Sequence, residues 1–371
     1  ESTQDKQIVA IAEVSKAADD RKHIYINKLE SFSSPIDFAT VKDMPGLTEM
    51  EFLKNMNGSL FKITKEESAL LMDIIRTENP CQKSKELPPY SKNDFLSEVF
   101  MDDETYDRMR ALLEDKKNII LQGAPGVGKT YTAKRLAYSI LGNKDKDKIE
   151  MVQFHQSYSY EDFVMGYKPN ENGGFDLQRG IFYKFCAKAK SDPDHKYFFI
   201  IDEINRGNLS KIFGELLMLI ENGYRGEEIS LAYNQELFSV PKNLYIIGMM
   251  NTADRSLAMI DYALRRRFSF VEMKPGFATD GFRNYQERLS SDIFDQVIAG
   301  IVQLNQVIAS DDSLGDGFCI GHSYFCNQKE FSKKWLKNVI EFDIIPMLHE
   351  YWFDDKNKCQ QEIENIKSWL I

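Results

Sequence analysis

Residues 118–142 read NIILQGAPGVGKTYTAKRLAYSILG. Ile119, Ile120 and Leu121 make a short apolar run, as a buried parallel strand requires. Gly123, Gly126 and Gly128 follow, a spacing that lets backbone N–H groups close around phosphate oxygens. Lys129 then reaches the β- and γ-phosphates and Thr130 offers a hydroxyl to Mg²⁺. A helix is predicted over Thr132–Leu141, stopping at Gly142 and aiming its positive end at the phosphates. The candidate nucleotide-binding set is Gly123, Ala124, Pro125, Gly126, Val127, Gly128, Lys129, Thr130 and Tyr131. A glycine turn with a stray lysine would not carry a strand before it and a helix behind it.

Two further strands should end beside this loop. In KYFFIIDEINRGN (196–208), Tyr197–Ile201 are continuously apolar and Asp202 emerges at the C-terminal end, where open α/β sheets bind ligands. Asp202 is a second Mg²⁺-holding group beside Thr130, and Glu203 is placed to polarise an attacking water. One helix is predicted beyond, with Leu209, Ile212, Phe213, Leu216, Leu217 and Ile220 on its packed face. In LYIIGMMNTADRS (244–256), Asn251 follows a buried strand and can hydrogen-bond the water or the γ-phosphate. SLAMIDYALRRRF (256–268) is predicted as a helix leading away to a subunit boundary. There an arginine of the Arg265–Arg267 triplet would stabilise charge at a neighbour's nucleotide. Arg266 is favoured and Arg267 is next; Arg255 could brace the turn after Asn251.

The rest of the chain sets the frame. Its 371 residues suggest two or three domains. A net charge of −10 excludes a uniformly basic nucleic-acid coat, though not a locally basic groove. Five cysteines without a C-x-x-C pair fit a reducing cytoplasm rather than a disulfide scaffold. No apolar run approaches the roughly 20 residues that span a bilayer. The start, ESTQDKQIVAIAEV, lacks the basic region and long apolar core of a signal peptide, and the expectation is a longer protein before Glu1. The predicted organisation is an α+β segment over 1–80 and a polar, proline-bearing linker over 81–91. An α/β subdomain with a parallel sheet follows over 92–275, then a helical subdomain over 276–371, with GDGFCIGHSYF (315–325) as a short hairpin.

Three strand-end polar groups after a phosphate loop, then an arginine cluster and a helical tail, resemble AAA+ ring NTPases. The resemblance is closest to the McrB-type motor of modification-dependent restriction. It is carried by GAPGVGKT (123–130), MVQFHQSYSYEDFVMGYKP (151–169), GIFYKFCAKAK (180–190), FIIDEINRGNLSKIFGELLMLIE (199–221), VPKNLYIIGMMNTADRSLAMIDYALRRRFSF (240–270), GHSYF (321–325) and EYWFDD (350–355). It covers about residues 115–356. It implies a GTP-preferring hydrolase using Mg²⁺, a homo-hexameric ring, and a separate McrC-like subunit that carries the nuclease. GTP preference does not follow from the residues themselves, since no N-K-x-D motif is present, and ATP stays open. The base is expected near DFLSEVFMDD (94–103). Cys319 stands where the family commonly has a basic residue, and His322 reads as a structural histidine before a lid contact. Tyr158, Tyr160, Phe163 and Tyr167 read as packing residues before pore-lining ones.

The first eighty residues resemble the later part of an EVE/PUA-like domain, through two strands ending in SFSSPI and a final GSLFKITKEE before a helix. That implies reading of a modified cytosine in DNA; a plain structural adaptor is the competing reading. For the whole chain the alternatives are a DNA-mark-binding module on an AAA+ oligomerisation scaffold, or a generic ATP-driven remodelling motor.

Overall fold

The computed structural model describes residues 7–16, 25–42, 44–48, 50–54, 61–79, 87–170, 173–254 and 262–370. The chain divides into two compact units, Glu1–Leu87 and Pro88–Ile371.

In the first unit, β1 (Gln7–Lys16) pairs antiparallel with β2 (Tyr25–Asp37), with the register broken at three places. Helix α1 (Lys65–Glu78) starts at a reciprocal cap: Thr64 Oγ1 accepts from Glu67 N–H, and the Glu67 carboxylate accepts from Thr64 N–H. It ends at Asn79, whose side-chain amide bonds both the N–H and the carbonyl of Ser34 on β2. Phe32, Ile36, Val41, Leu47, Met50, Ile74 and Ile75 form the buried core of this unit.

The second unit is built on five parallel strands: β3 (Asn118–Gly123), β4 (Ile149–Gln153), β5 (Tyr197–Asp202), β6 (Leu244–Asn251) and β7 (Ser269–Met273). Their order is β7-β3-β6-β5-β4. The central strands are apolar along nearly their whole length because both faces are covered. Ile119, Leu121, Phe198, Ile200 and Ile247 enter one core, while Ile120, Phe199, Ile201 and Ile246 enter the other. Pairing in register brings Gly123 opposite Asn251 and Gln153 opposite Asp202, so the polar strand ends share one edge. Helix α2 (Lys92–Glu98) is capped by Ser91, and Tyr90 is buried, so residues 88–91, read as linker, belong to this unit.

Helix α3 (Lys129–Leu141) begins three residues earlier than predicted, at the phosphate-loop lysine itself, and stops at left-handed Gly142. The single helix expected after Arg206 is two pieces, Leu209–Phe213 and Leu216–Leu219. Gly214 between them has φ +51° and ψ −131°, a conformation only glycine adopts without strain. The stripe is still core: Leu209, Ile212, Phe213, Leu216 and Ile220 are buried. Residues 255–261, including Arg255 and most of the predicted 256–268 helix, lie outside the described residues. The described helix is Tyr262–Arg265; the chain then turns at Arg266 and Arg267, with Arg267 N–H bonded to Leu264 O, and enters β7. The triplet therefore sits at a helix end that folds back to the sheet.

The helical subdomain centres on α4 (Asp292–Ala309), against which α5 (Lys356–Ser368) packs. Gly300 on α4 makes room for the Trp369 ring, which a Cβ there would meet at 2.3 Å. The predicted hairpin over 315–325 is instead two tight 3₁₀ turns, Asp316–Phe318 and His322–Phe325. Its backbone makes short-range turn bonds, Phe318 N–H to Gly315 O among them, and reaches outward through Ser323 N–H, which donates to Gly126 O at 2.9 Å.

Candidate nucleotide site

The phosphate loop is shaped by what its glycines permit. A Cβ on Gly123 would sit 2.3 Å from the Met273 carbonyl, so a side chain there would separate β3 from β7. Gly126 and Gly128 both have φ +78°. Ala124 and Val127 are buried and fix the loop to the core, while Pro125 is half-buried. Lys129 Nζ donates to the carbonyls of Gly123 and Ala124, both at 2.9 Å. Burial pushes its pKa down to about 8, opposed by the charges of Glu203, Asp202 and Asp254. An anion in the loop would favour the charged form and raise the pKa again. Tyr131 is largely exposed and stacks with the Arg135 guanidinium 3.4 Å from its ring centre.

Thr130 Oγ1 lies 3.5 Å from Asp202 Oδ2, pairing a hydroxyl and a carboxylate beside the start of α3. Two hard oxygen donors next to a phosphate cradle fit Mg²⁺, which completes its shell with phosphate and water oxygens. Glu203, one residue on, is held in the left-handed region at φ +51° and ψ +46°. Strain at such a position needs local support. Asn251 Nδ2 donates to Glu203 Oε1 at 2.8 Å and Arg206 Nε donates to Oε2 at 3.0 Å. Arg206 also reaches Asp254 Oδ2 at 3.2 Å. Both carboxylate oxygens of Glu203 are thus engaged. Sequence reading missed Arg206 and Asp254 as partners here; the signal was an acid and a base three residues apart in a tight turn, and a second acid three residues after Asn251.

These groups face a cleft of about 1250 Å³. Its far wall is Leu96–Asp103, inside the segment expected to meet the base. The helical subdomain closes it with Asn284, Arg288, His322 and Asn327 among others. His322 is buried and its Nδ1 accepts from Gly276 N–H at 2.8 Å, so it is satisfied on one side as a structural histidine would be.

The arginines stand apart from this cleft. Arg266 is 69 % exposed in its side chain and 3.8 Å from Glu221; Arg267 is 9 % exposed and 3.7 Å from the same carboxylate. Arg265 and Arg266 are both exposed, while Arg267 is buried. Of the aromatics at 158–167, Phe163 is fully buried, Tyr160 donates to Glu215 at 2.7 Å, and Tyr158 packs on Phe154. Tyr167 is 56 % exposed.

A five-stranded parallel sheet, a phosphate loop, acidic and amide groups at the adjoining strand ends and a helical lid over the cleft define the AAA+ class of P-loop domains. Residues 118–268 match the AAA domain family of the dynein-related subfamily. Residues 296–360 match the McrB alpha-helical lid domain. The chain is 50 % identical over 293 residues to the type IV methyl-directed restriction enzyme EcoKMcrB subunit of Escherichia coli K12, covering 74 % of this chain and 64 % of that protein. It is 28 % identical over 205 residues to the type II restriction enzyme BsuMI component YdiS of Bacillus subtilis 168, covering 45 % of this chain and 60 % of that one. The chain thus spans less than two thirds of the length of either relative.

Proposed function

We propose that this chain hydrolyses a nucleoside triphosphate, GTP in preference to ATP, as the motor subunit of a hexameric ring in modified-cytosine-dependent DNA restriction. A separate McrC-like subunit would carry the nuclease. The observation that carries the reading is the meeting of Lys129, the Thr130–Asp202 pair and the Glu203–Asn251 pair at the ends of three adjacent strands. The similarity to the methyl-directed restriction subunit of Escherichia coli supports the biological setting.

In the proposed reaction, loop N–H groups and Lys129 take up charge on the β- and γ-phosphates as water attacks in line. Thr130 and Asp202 would hold Mg²⁺, which when bound would offset negative charge on the phosphates. Glu203 accepts the water proton once Arg206 releases its Oε2, and Asn251 orients the water. Arg266 of one subunit stabilises charge at its neighbour's γ-phosphate. The first unit, as part of an EVE/PUA-like reader, would bind DNA carrying modified cytosine. Comparing GTP and ATP turnover with and without the nuclease partner tests the specificity. GTP should be favoured by tenfold or more, about 1.4 kcal/mol; equal or ATP-favoured rates refute it. Duplex binding with and without modified cytosine tests the reader, and equal affinities refute that part.

A second reading is a mark-binding module whose AAA+ part is chiefly a nucleotide-dependent scaffold. It is favoured by the double engagement of Glu203, which leaves no oxygen free to act as base. Measurable hydrolysis by the chain alone, without DNA or partner, separates the two.

A further inference from the structure

His322 is 7 % exposed and boxed by the rings of Phe100, Phe277 and Phe282, at centroid distances of 5.3, 6.3 and 6.4 Å. The Gly276 amide donates to its Nδ1 at 2.8 Å. An amide N–H can only donate, so Nδ1 is the lone-pair nitrogen and the ring proton is on Nε2. Burial pushes the ring's pKa down to about 4, so it stays neutral at ordinary pH. The imidazole thus presents a single N–H, and among the described residues no acceptor takes it.

That N–H is aimed at the phosphate loop. A Cβ built on Gly128 would lie 3.6 Å from Nε2. Gly128 directly precedes α3, whose first backbone N–H groups are open to an anion. The ring cannot turn away, because Nδ1 is tied and three aromatic rings enclose it. The turn that carries it is itself fastened to the loop, by Ser323 N–H on Gly126 O and by Gly321, packed so closely on Gly126 that no side chain fits between them. The N–H opens onto the cleft that His322 lines, where a ligand oxygen can take it in place of water.

We propose that His322 Nε2–H donates to a phosphate oxygen of the nucleotide seated at the start of α3, making His322 a phosphate-contacting residue delivered by the helical lid. The same ring holds Gly276, at the junction between sheet and lid, so phosphate occupancy and lid position are read by one side chain. The proposal rests on the cleft being a nucleoside triphosphate site. It does not depend on which base is preferred.

The test uses the full chain and two variants. His322→Gln keeps a donor near the Nε2 position. His322→Asn keeps an acceptor for Gly276 and removes that donor. Equilibrium binding is measured with a fluorescent GDP, and by its displacement with inorganic pyrophosphate, which has neither base nor sugar. His322→Asn should weaken both by roughly tenfold, the value of one hydrogen bond to a charged acceptor, with His322→Gln within about threefold of the parent. Equal affinities for both variants and the parent overturn the proposal. So does weakened GDP binding with unchanged pyrophosphate displacement, which would place the contact on base or sugar. Should His322→Asn not fold, the parent chain with ¹⁵N-labelled histidine decides: pyrophosphate should move the Nε2 resonance and leave Nδ1 in place, and an unmoved Nε2 rejects the contact. A parent chain that binds no nucleoside triphosphate overturns the functional reading as well; one that binds, with indifferent variants, overturns this inference alone.

Discussion

In the proposed reaction turnover hinges on Glu203, and its surroundings say how that can be tested. Its carboxylate is held by Asn251 and Arg206, so replacing it with glutamine keeps size and much of the hydrogen bonding while removing basicity. Glu203→Gln should bind nucleotide within about threefold of the parent and lose turnover by at least about a hundredfold; retained turnover in a single-turnover assay rejects the assignment. Lys129 makes a second prediction, through pH. Its folded pKa of about 8 lies below the ordinary 10.5, so burial disfavours its charge in the folded chain. Below pH 8 both folded and unfolded forms are charged and the penalty is complete. Between about pH 8 and 10.5 the unfolded chain binds more protons, so stability rises with pH. The nucleotide-free chain should gain up to roughly 3 kcal/mol over that window relative to Lys129→Met. Thermal melts of both proteins across the range check it, and parallel pH profiles would refute it.

At the scale of elements, the sheet's opposite edge is held by one buried cation. Arg225 is 3 % exposed, and it donates to Ile220 O at 2.9 Å, Leu244 O at 3.1 Å and Asn118 Oδ1 at 2.7 Å. Asn118 Nδ2 donates in turn to Ile220 O and to Arg267 O. Burial pushes the Arg225 pKa down to about 10, which still leaves it charged at neutral pH. The network ties the starts of β3 and β6 to the chain end after Leu219 and to the arginine turn. Arg225→Met fills similar space and removes the guanidinium from Leu244 O and Asn118 Oδ1, leaving Ile220 O only its bond from Asn118, so it should cost about 3–5 kcal/mol in urea unfolding. A loss below about 1 kcal/mol would mean water replaces the guanidinium.

At the scale of the whole molecule, the second unit carries its own phosphate loop and the residues proposed to hold the metal and orient the water, while the exposed Arg266 of the triplet lies away from them. A site that needs a cation from elsewhere fits a ring in which each subunit completes its neighbour's cleft. Mixing Arg266→Ala subunits with Glu203→Gln subunits tests this. Each variant alone should be inactive, while mixed assemblies should regain activity at interfaces that pair an intact Glu203 with an intact Arg266. Normal turnover by pure Arg266→Ala would show that the arginine does not cross an interface.

The phosphate loop, the three buried strands and the acidic and amide groups at their ends were legible in the sequence. Continuous apolar runs specify central parallel strands, and a glycine spacing followed by Lys129 and Thr130 specifies an anion cradle by local backbone geometry alone. The capping box at Thr64 and Glu67 was equally local and equally readable. What the sequence could not state depends on partners distant along the chain. The apolar stripe from Leu209 to Ile220 read as one helix, yet Gly214, with φ +51°, divides it in two. Residues 315–325 looked like a hairpin, yet they form tight turns and Ser323 N–H bonds Gly126 O, nearly two hundred residues earlier. Arg206 looked like the approach to a helix, yet it holds Glu203 and Asp254 together. Local pattern fixed which elements form and where their chemistry sits. Only the packing of lid on loop and sheet end on sheet end decided which polar groups meet, because those contacts join residues with no periodic relation in the chain.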